Sequence, residues 1–234
     1  MAKELRFTPA LFDFLRELKV NNNRDWFEAN KPRYLADVRE PFLAFIAALR
    51  PRLQNLSPHY VVEPKCMFRI YRDTRFAKDK TPYKTTASAY FWHQAGKLDT
   101  PGFYLHMEPG ECFVGMGLYE PAPALRNQVV AAIVANADEW RSITGAKEFK
   151  KLFTFGGASL QRVPKPYGED HPLAADLKRK DFIVVAKLTE QQVCAKDFLD
   201  RYETLCAAGA PLVAFLTRAV GLPWSAADKA ARKK

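Results

Sequence analysis

A chain of 234 residues, 48% hydrophobic and 26% charged, is long enough to bury a substantial core and has an ordinary globular balance. No apolar run approaches the roughly 20 residues that span a bilayer, and the start MAKELRFTPALF lacks the basic-then-apolar order of a secretory signal. A cytoplasmic protein with no membrane segment is therefore expected. The net charge of +10 favours a phosphate-bearing partner through long-range attraction, although the same excess also serves solubility alone.

In chain order, Thr8-Pro9 reads as a cap and a first helical proline, and Leu11, Phe12, Leu15 and Leu18 recur at helical spacing over 9–19. Asn23 caps a second helix carrying Trp26 and Phe27, which are expected to pack in the core. Pro32 and Pro41 each read as a fresh start within one helical stretch ending near Leu53. Segments 66–72, 86–93, 102–108 and 111–119 are rich in aromatic and β-branched residues and read as strands, with Glu108-Pro109-Gly110-Glu111 as the turn of a hairpin. Helical periodicity returns over Pro123–Asn136, with shorter helices at 137–143 and 146–153. The polar stretch 156–180 reads as a long loop, which is uncommon unless it is functional or has structure of its own. DFIVVAKL at 181–188 is a late strand of central character, followed by a helix, broken or continuous, from about 191 to 220. The pattern predicts one α+β domain over 1–234, with a mainly antiparallel sheet flanked by helices and a basic, frayed tail from about 225.

The segment RIYRDTRFAKDKTPYKTT, Arg69–Thr86, places six cations beside two aspartates, two tyrosines and a proline. If 67–72 is a strand, Phe68, Ile70 and Arg72 share one face, and Arg69, Tyr71 and Asp73 the other. On the hairpin, Tyr104, His106 and Glu108 oppose Phe103, Leu105 and Met107, while Phe113, Gly115 and Gly117 share a face. Arg69, Tyr71, Tyr104 and His106 would then stand above a floor left shallow by the glycines, with 72–84 as a basic rim. The candidate ligand-binding residues are Arg69, Tyr71, Arg72, Arg75, Lys80, Lys84 and Tyr104, because guanidinium, ammonium and phenol groups suit phosphate or carboxylate oxygens. The ligand would be anionic, with nucleotides and nucleic acid among those it suits. A competing reading pairs Asp73 and Asp79 with neighbouring cations and makes the loop an internal ion-pair network.

Other motifs carry less. Lys80-Thr81 lacks the glycines of a phosphate loop, and Gly115-x-Gly117 lacks the third glycine of a dinucleotide fingerprint. Cys66, Cys112, Cys194 and Cys206 form no CxxC pair and read as reduced core residues. His59, His93, His106 and His171 form no ligand motif, so no metal site is expected. His106 and Asp73 are the candidates for proton transfer should the protein be an enzyme acting on a phosphate- or carboxylate-bearing substrate. In that alternative, Arg72 and Arg75 would stabilise developing negative charge. The basic cluster Lys178–Lys180 reads as a solvated loop. These patterns specify no cofactor and no oligomeric state.

The stretches NNNRDWFEANKPRY, FRIYRDTRFAKDKTPYKTTAS, PGFYLHMEPGECFVGMGLYEP and LRNQV together resemble a widespread bacterial and fungal family of uncharacterised proteins, known as a domain of unknown function. The specific core of the resemblance is Arg72, Asp73, Arg75, Phe76, Asp79, Lys80, Thr81, Pro82, Tyr83 and Lys84. It implies one domain from about Phe7 to Leu216 and brings no activity with it.

Overall fold

The computed structural model describes residues 6–228. Helix α1 (Pro9–Val20) begins at its proline and buries Leu11, Phe12, Phe14, Leu15 and Leu18. Asn23 caps α2 (Arg24–Arg33) by accepting the Trp26 N–H at 3.0 Å. Pro32 lies inside α2 and supplies no N–H; the helix then widens into a π turn over Tyr34–Arg39 before α3 (Glu40–Leu56). Pro41 therefore marks a helix start as the sequence suggests, while Pro32 does not. Phe27 is buried and Trp26 half-buried against Phe14, so both serve packing.

Five strands form one antiparallel sheet: β1 (Ala87–Trp92), β2 (Gly102–Glu108), β3 (Glu111–Leu118), β4 (Thr154–Phe155) and β5 (Phe182–Leu188), in the order β1-β2-β3-β5-β4. One face is apolar. Ala89, Phe91, Phe103, Leu105, Val114, Met116, Phe182 and Val184 are all buried there. The long helix α9 (Phe198–Ala219) crosses this face, where a Cβ on Gly209 would overlap the Met116 sulfur. Gly117 has φ +121°, and a side chain there would strike the Phe182 carbonyl, so β3 and β5 approach closely only because this residue is glycine. The second face carries half-buried Tyr104, His106, Phe113, Ile183 and Val185.

Between the sheet elements, α4 (Pro123–Ala135), α5 (Ala137–Gly145) and α6 (Lys147–Leu152) pack beside α9. The long loop 156–180 has structure of its own. It contains the short helix α7 (Ala174–Leu177), buries Val163, Leu173 and Leu177, and ends at buried Asp181, which accepts the N–H groups of Glu120 at 2.8 Å and Ala158 at 2.7 Å. The expected closing helix is two helices, α8 (Glu190–Val193) and α9, the first opened by a capping box at Thr189. The architecture is α+β, a single antiparallel sheet with helices on its apolar face. No helix among the described residues is long and apolar enough to cross a membrane.

Beyond α9 the chain folds back over the start of the sheet. His59 Nε2 donates to the Ser225 carbonyl at 3.1 Å and His93 Nε2 to the Pro223 carbonyl at 3.0 Å. Asp228 accepts the N–H groups of Trp224 and Ser225, each at 2.7 Å. The sequence places a frayed tail from about 225; Ser225 and Asp228 are in these bonds, and 229–234 lie outside the described residues.

Segment 66–72 is not a strand. Pro64–Cys66 forms a 3-10 turn, Met67 makes a single bridge to Ala89, and Tyr71 makes a single bridge to Tyr83. The Phe68 N–H bonds the Ser88 carbonyl at 2.9 Å, but the Ile70 carbonyl is taken by the Lys84 N–H at 2.7 Å. The chain leaves the edge of β1 for its own returning loop and completes a ladder with neither.

Candidate anion site at the edge of the sheet

Side-chain positions follow from that departure. Phe68 turns onto the second face of the sheet, its ring 6.4 Å from that of Tyr104 on β2. Two ammonium groups sit over it: Lys84 Nζ at 5.1 Å and Lys97 Nζ at 4.8 Å from the ring centre, with Lys97 also 5.1 Å from Trp92. Lys97 arrives from the loop between β1 and β2, whose turn is held by Thr100 Oγ1 donating to the Gly96 carbonyl at 2.7 Å. Arg69, exposed beside Phe68, is close enough to act electrostatically on Lys84. Among the described residues none of Arg69, Lys84 and Lys97 forms an ion pair. Burial of Lys84, then Arg69 and Lys97 in turn, hold its ammonium below the usual lysine range.

The remaining cations of the segment are differently placed. Arg75 grips Asp73 through two nitrogens, at 3.0 and 2.7 Å. Arg72 donates to Asp79 and to Thr81 Oγ1. Asp79 also accepts the Thr81 N–H at 2.9 Å; that bond first, then Arg72, hold its carboxyl at about 2. Lys80 donates to the Thr74 carbonyl at 3.0 Å. Tyr71 turns the other way, onto Phe27 and Tyr83, and with Arg72 lines an open hollow of about 320 Å³ against Arg24 and Glu28 of α2. The residues singled out from sequence thus fall into three places. Arg69 and Lys84 lie together at the sheet edge, with Tyr104 on the next strand beyond the Phe68 ring; Arg75, Lys80 and Asp73 bond within the loop; Tyr71 and Arg72 face α2. Sequence reading missed Phe68, assigned to the opposite face by the strand expectation, and Lys97, an isolated loop cation with no periodic pattern around it.

Strand alternation correctly puts Tyr104 and His106 on one face. The Tyr104 hydroxyl lies 2.9 Å from His106 Nδ1, and His106 Nε2 lies 3.7 Å from Glu108. Phe113 stacks on the imidazole, with ring centres 4.7 Å apart, and burial lowers the His106 pKa against the raising influence of Glu108. Gly115 lies opposite Tyr104 in the register, and a Cβ there would meet the phenol ring only at an ordinary contact of 3.5 Å. Cys112 offers no nucleophile, because burial pushes its thiol up to about 11. Its three fellow cysteines are free thiols as well. Among the described residues no three His, Cys, Asp or Glu side chains gather at metal-binding distance.

Fold and site together define an α+β protein with a cation-rimmed aromatic patch on the less covered face of its sheet. The family model for the conserved hypothetical protein DUF2461 matches residues 10–215, and the chain belongs to that family. No curated protein matches the chain.

Proposed function

We propose that the protein recognises a phosphate-bearing or other anionic ligand at the sheet edge, with Arg69, Lys84 and Lys97 supplying charge, Phe68 the floor and Tyr104 a hydroxyl. One observation carries this reading: Lys84 is a partly buried ammonium with two cations and no carboxylate around it. Removing an ammonium from water is costly unless an opposite charge or hydrogen-bond acceptor replaces the lost solvation. Elsewhere in the same segment both acids go to Arg72 and Arg75, and none is left for the edge. An anion seated over Phe68 would relieve the mutual repulsion of the three cations. Arg72, Arg75 and Lys80 would shape the loop instead of touching the ligand. Calorimetric titration with pyrophosphate tests this. Wild type binds, Lys84→Ala loses about tenfold or more, and Arg75→Ala binds like wild type; a Lys84→Ala variant of unchanged affinity overturns the reading.

The enzymatic alternative rests on a separate observation, the contact between Tyr104 and His106 beside the same patch. In that reading Tyr104 exchanges a proton with a bound substrate and His106 is the positioning residue behind it. Asp73 drops out, since Arg75 already holds both of its oxygens. A screen of phosphate monoesters and carboxylates in which Tyr104→Phe keeps full turnover of any substrate found removes this role.

A further inference from the structure

Beyond the patch itself, the loop between Arg72 and Pro82 carries a feature that a small anion does not explain. Its base is closed by the Arg72 N–H donating to the Pro82 carbonyl at 2.9 Å. Near its middle, Phe76 is 95% exposed, the most exposed of the large hydrophobic side chains among the described residues. The Arg75 guanidinium carbon lies 5.9 Å from its ring centre and leaves the rest of the ring free. At that exposure the ring buries almost nothing against the fold and both of its faces are open to a ligand. Lys78, two residues on, makes no ion pair among the described residues. Cations without an ion pair thus occur both at the sheet edge (Arg69, Lys84 and Lys97) and two residues from the aromatic tip (Lys78).

Resting on the anion reading above, we infer that the ligand is single-stranded nucleic acid, with phosphates along Arg69, Lys84 and Lys97 and a base stacked on Phe76. The chemistry selects among polyanions. Charge spread over an open surface suits a chain of phosphates better than one, and the hollow of about 320 Å³ lies on the α2 side of the loop, away from the three cations. A free aromatic face is worth most to a base that is not already stacked in a duplex. A bilayer is the poorer match: Asp73 and Asp79 flank Phe76 and are held ionised by Arg75 and by Thr81 with Arg72, so inserting the tip would drag carboxylates towards hydrocarbon.

Fluorescence anisotropy with labelled oligothymidylate tests the inference, with the matching duplex, pyrophosphate and phosphatidylserine vesicles measured alongside. The single strand is expected to bind with a log–log salt slope of about −2, as three phosphate contacts would give. Phe76→Ala, a change at a solvent-exposed ring that leaves the core intact, is expected to weaken oligonucleotide binding about tenfold and leave pyrophosphate binding unchanged. The double variant Arg69→Ala, Lys84→Ala is expected to weaken both. Undiminished oligonucleotide binding by Phe76→Ala, a duplex held as tightly as the single strand, or vesicles bound in preference to the oligonucleotide would each overturn it. Pyrophosphate binding without oligonucleotide binding rejects the nucleic-acid assignment and leaves the anion site standing; binding of neither rejects both.

Discussion

Lys84 is where structure and proposed function conflict most directly at the scale of one residue. Its ammonium lies over Phe68, partly removed from water and repelled by two neighbours. Replacing such a group by an apolar one of similar length is often neutral or stabilising. Lys84→Met is therefore expected to keep or raise the thermal midpoint while losing pyrophosphate affinity; a residue kept for structure would show a lower midpoint instead. The pH dependence has a definite sign. A bound anion favours the charged lysine, so affinity is full below the depressed Lys84 pKa and weakens as pH rises through it. His106 adds a stability effect of its own. Its folded pKa lies below the usual ~6.5, so the unfolded chain holds more proton in that window and stability falls as pH drops below about 6.5. Urea midpoints measured between pH 7 and 5 in wild type and His106→Gln check it, with a smaller decline expected in the variant.

At the scale of elements, the sheet was legible because period-2 alternation and the Glu108–Glu111 turn are local. Tyr104 and His106 fall on one face for that reason alone. Segment 66–72 misled because its composition suits a strand, while its pairing is decided by a residue 14 positions later, Lys84, whose N–H takes the Ile70 carbonyl. Composition does not encode that competition. The seat of α9 on β3 is similarly non-local and rests on Gly209 against Met116. Gly209→Ala gains helix propensity but overpacks this contact. A net loss of about 1–2 kcal/mol is expected, with Met116→Val recovering part of it; chemical denaturation in a double-mutant cycle reads the coupling.

For the whole molecule, the excess of basic charge was plain in the sequence, but its distribution was not. Two aspartates pair with Arg72 and Arg75, neighbours in sequence, and leave Lys78 and Lys80 of the loop without an ion pair among the described residues. The unpaired cations assemble only because Lys97 reaches Phe68 from another connection. The closing segment gives a second long-range prediction. Ser57, His59 and His93 hold the carbonyls of Trp224, Ser225 and Pro223, and Trp224 packs on buried Tyr60 with ring centres 5.7 Å apart. Ending the chain at Gly221 would strand those three donors and uncover Tyr60, and a loss of roughly 3 kcal/mol is expected by urea unfolding.

The central claim, an anion seat built around an unpaired ammonium, is tested most directly by following the side-chain nitrogen of Lys84 by NMR through a pH titration, with and without pyrophosphate. The account predicts a lysine that titrates below its usual range in the free protein and moves upward when pyrophosphate is present. A Lys84 that titrates like a solvated lysine and ignores pyrophosphate would contradict it.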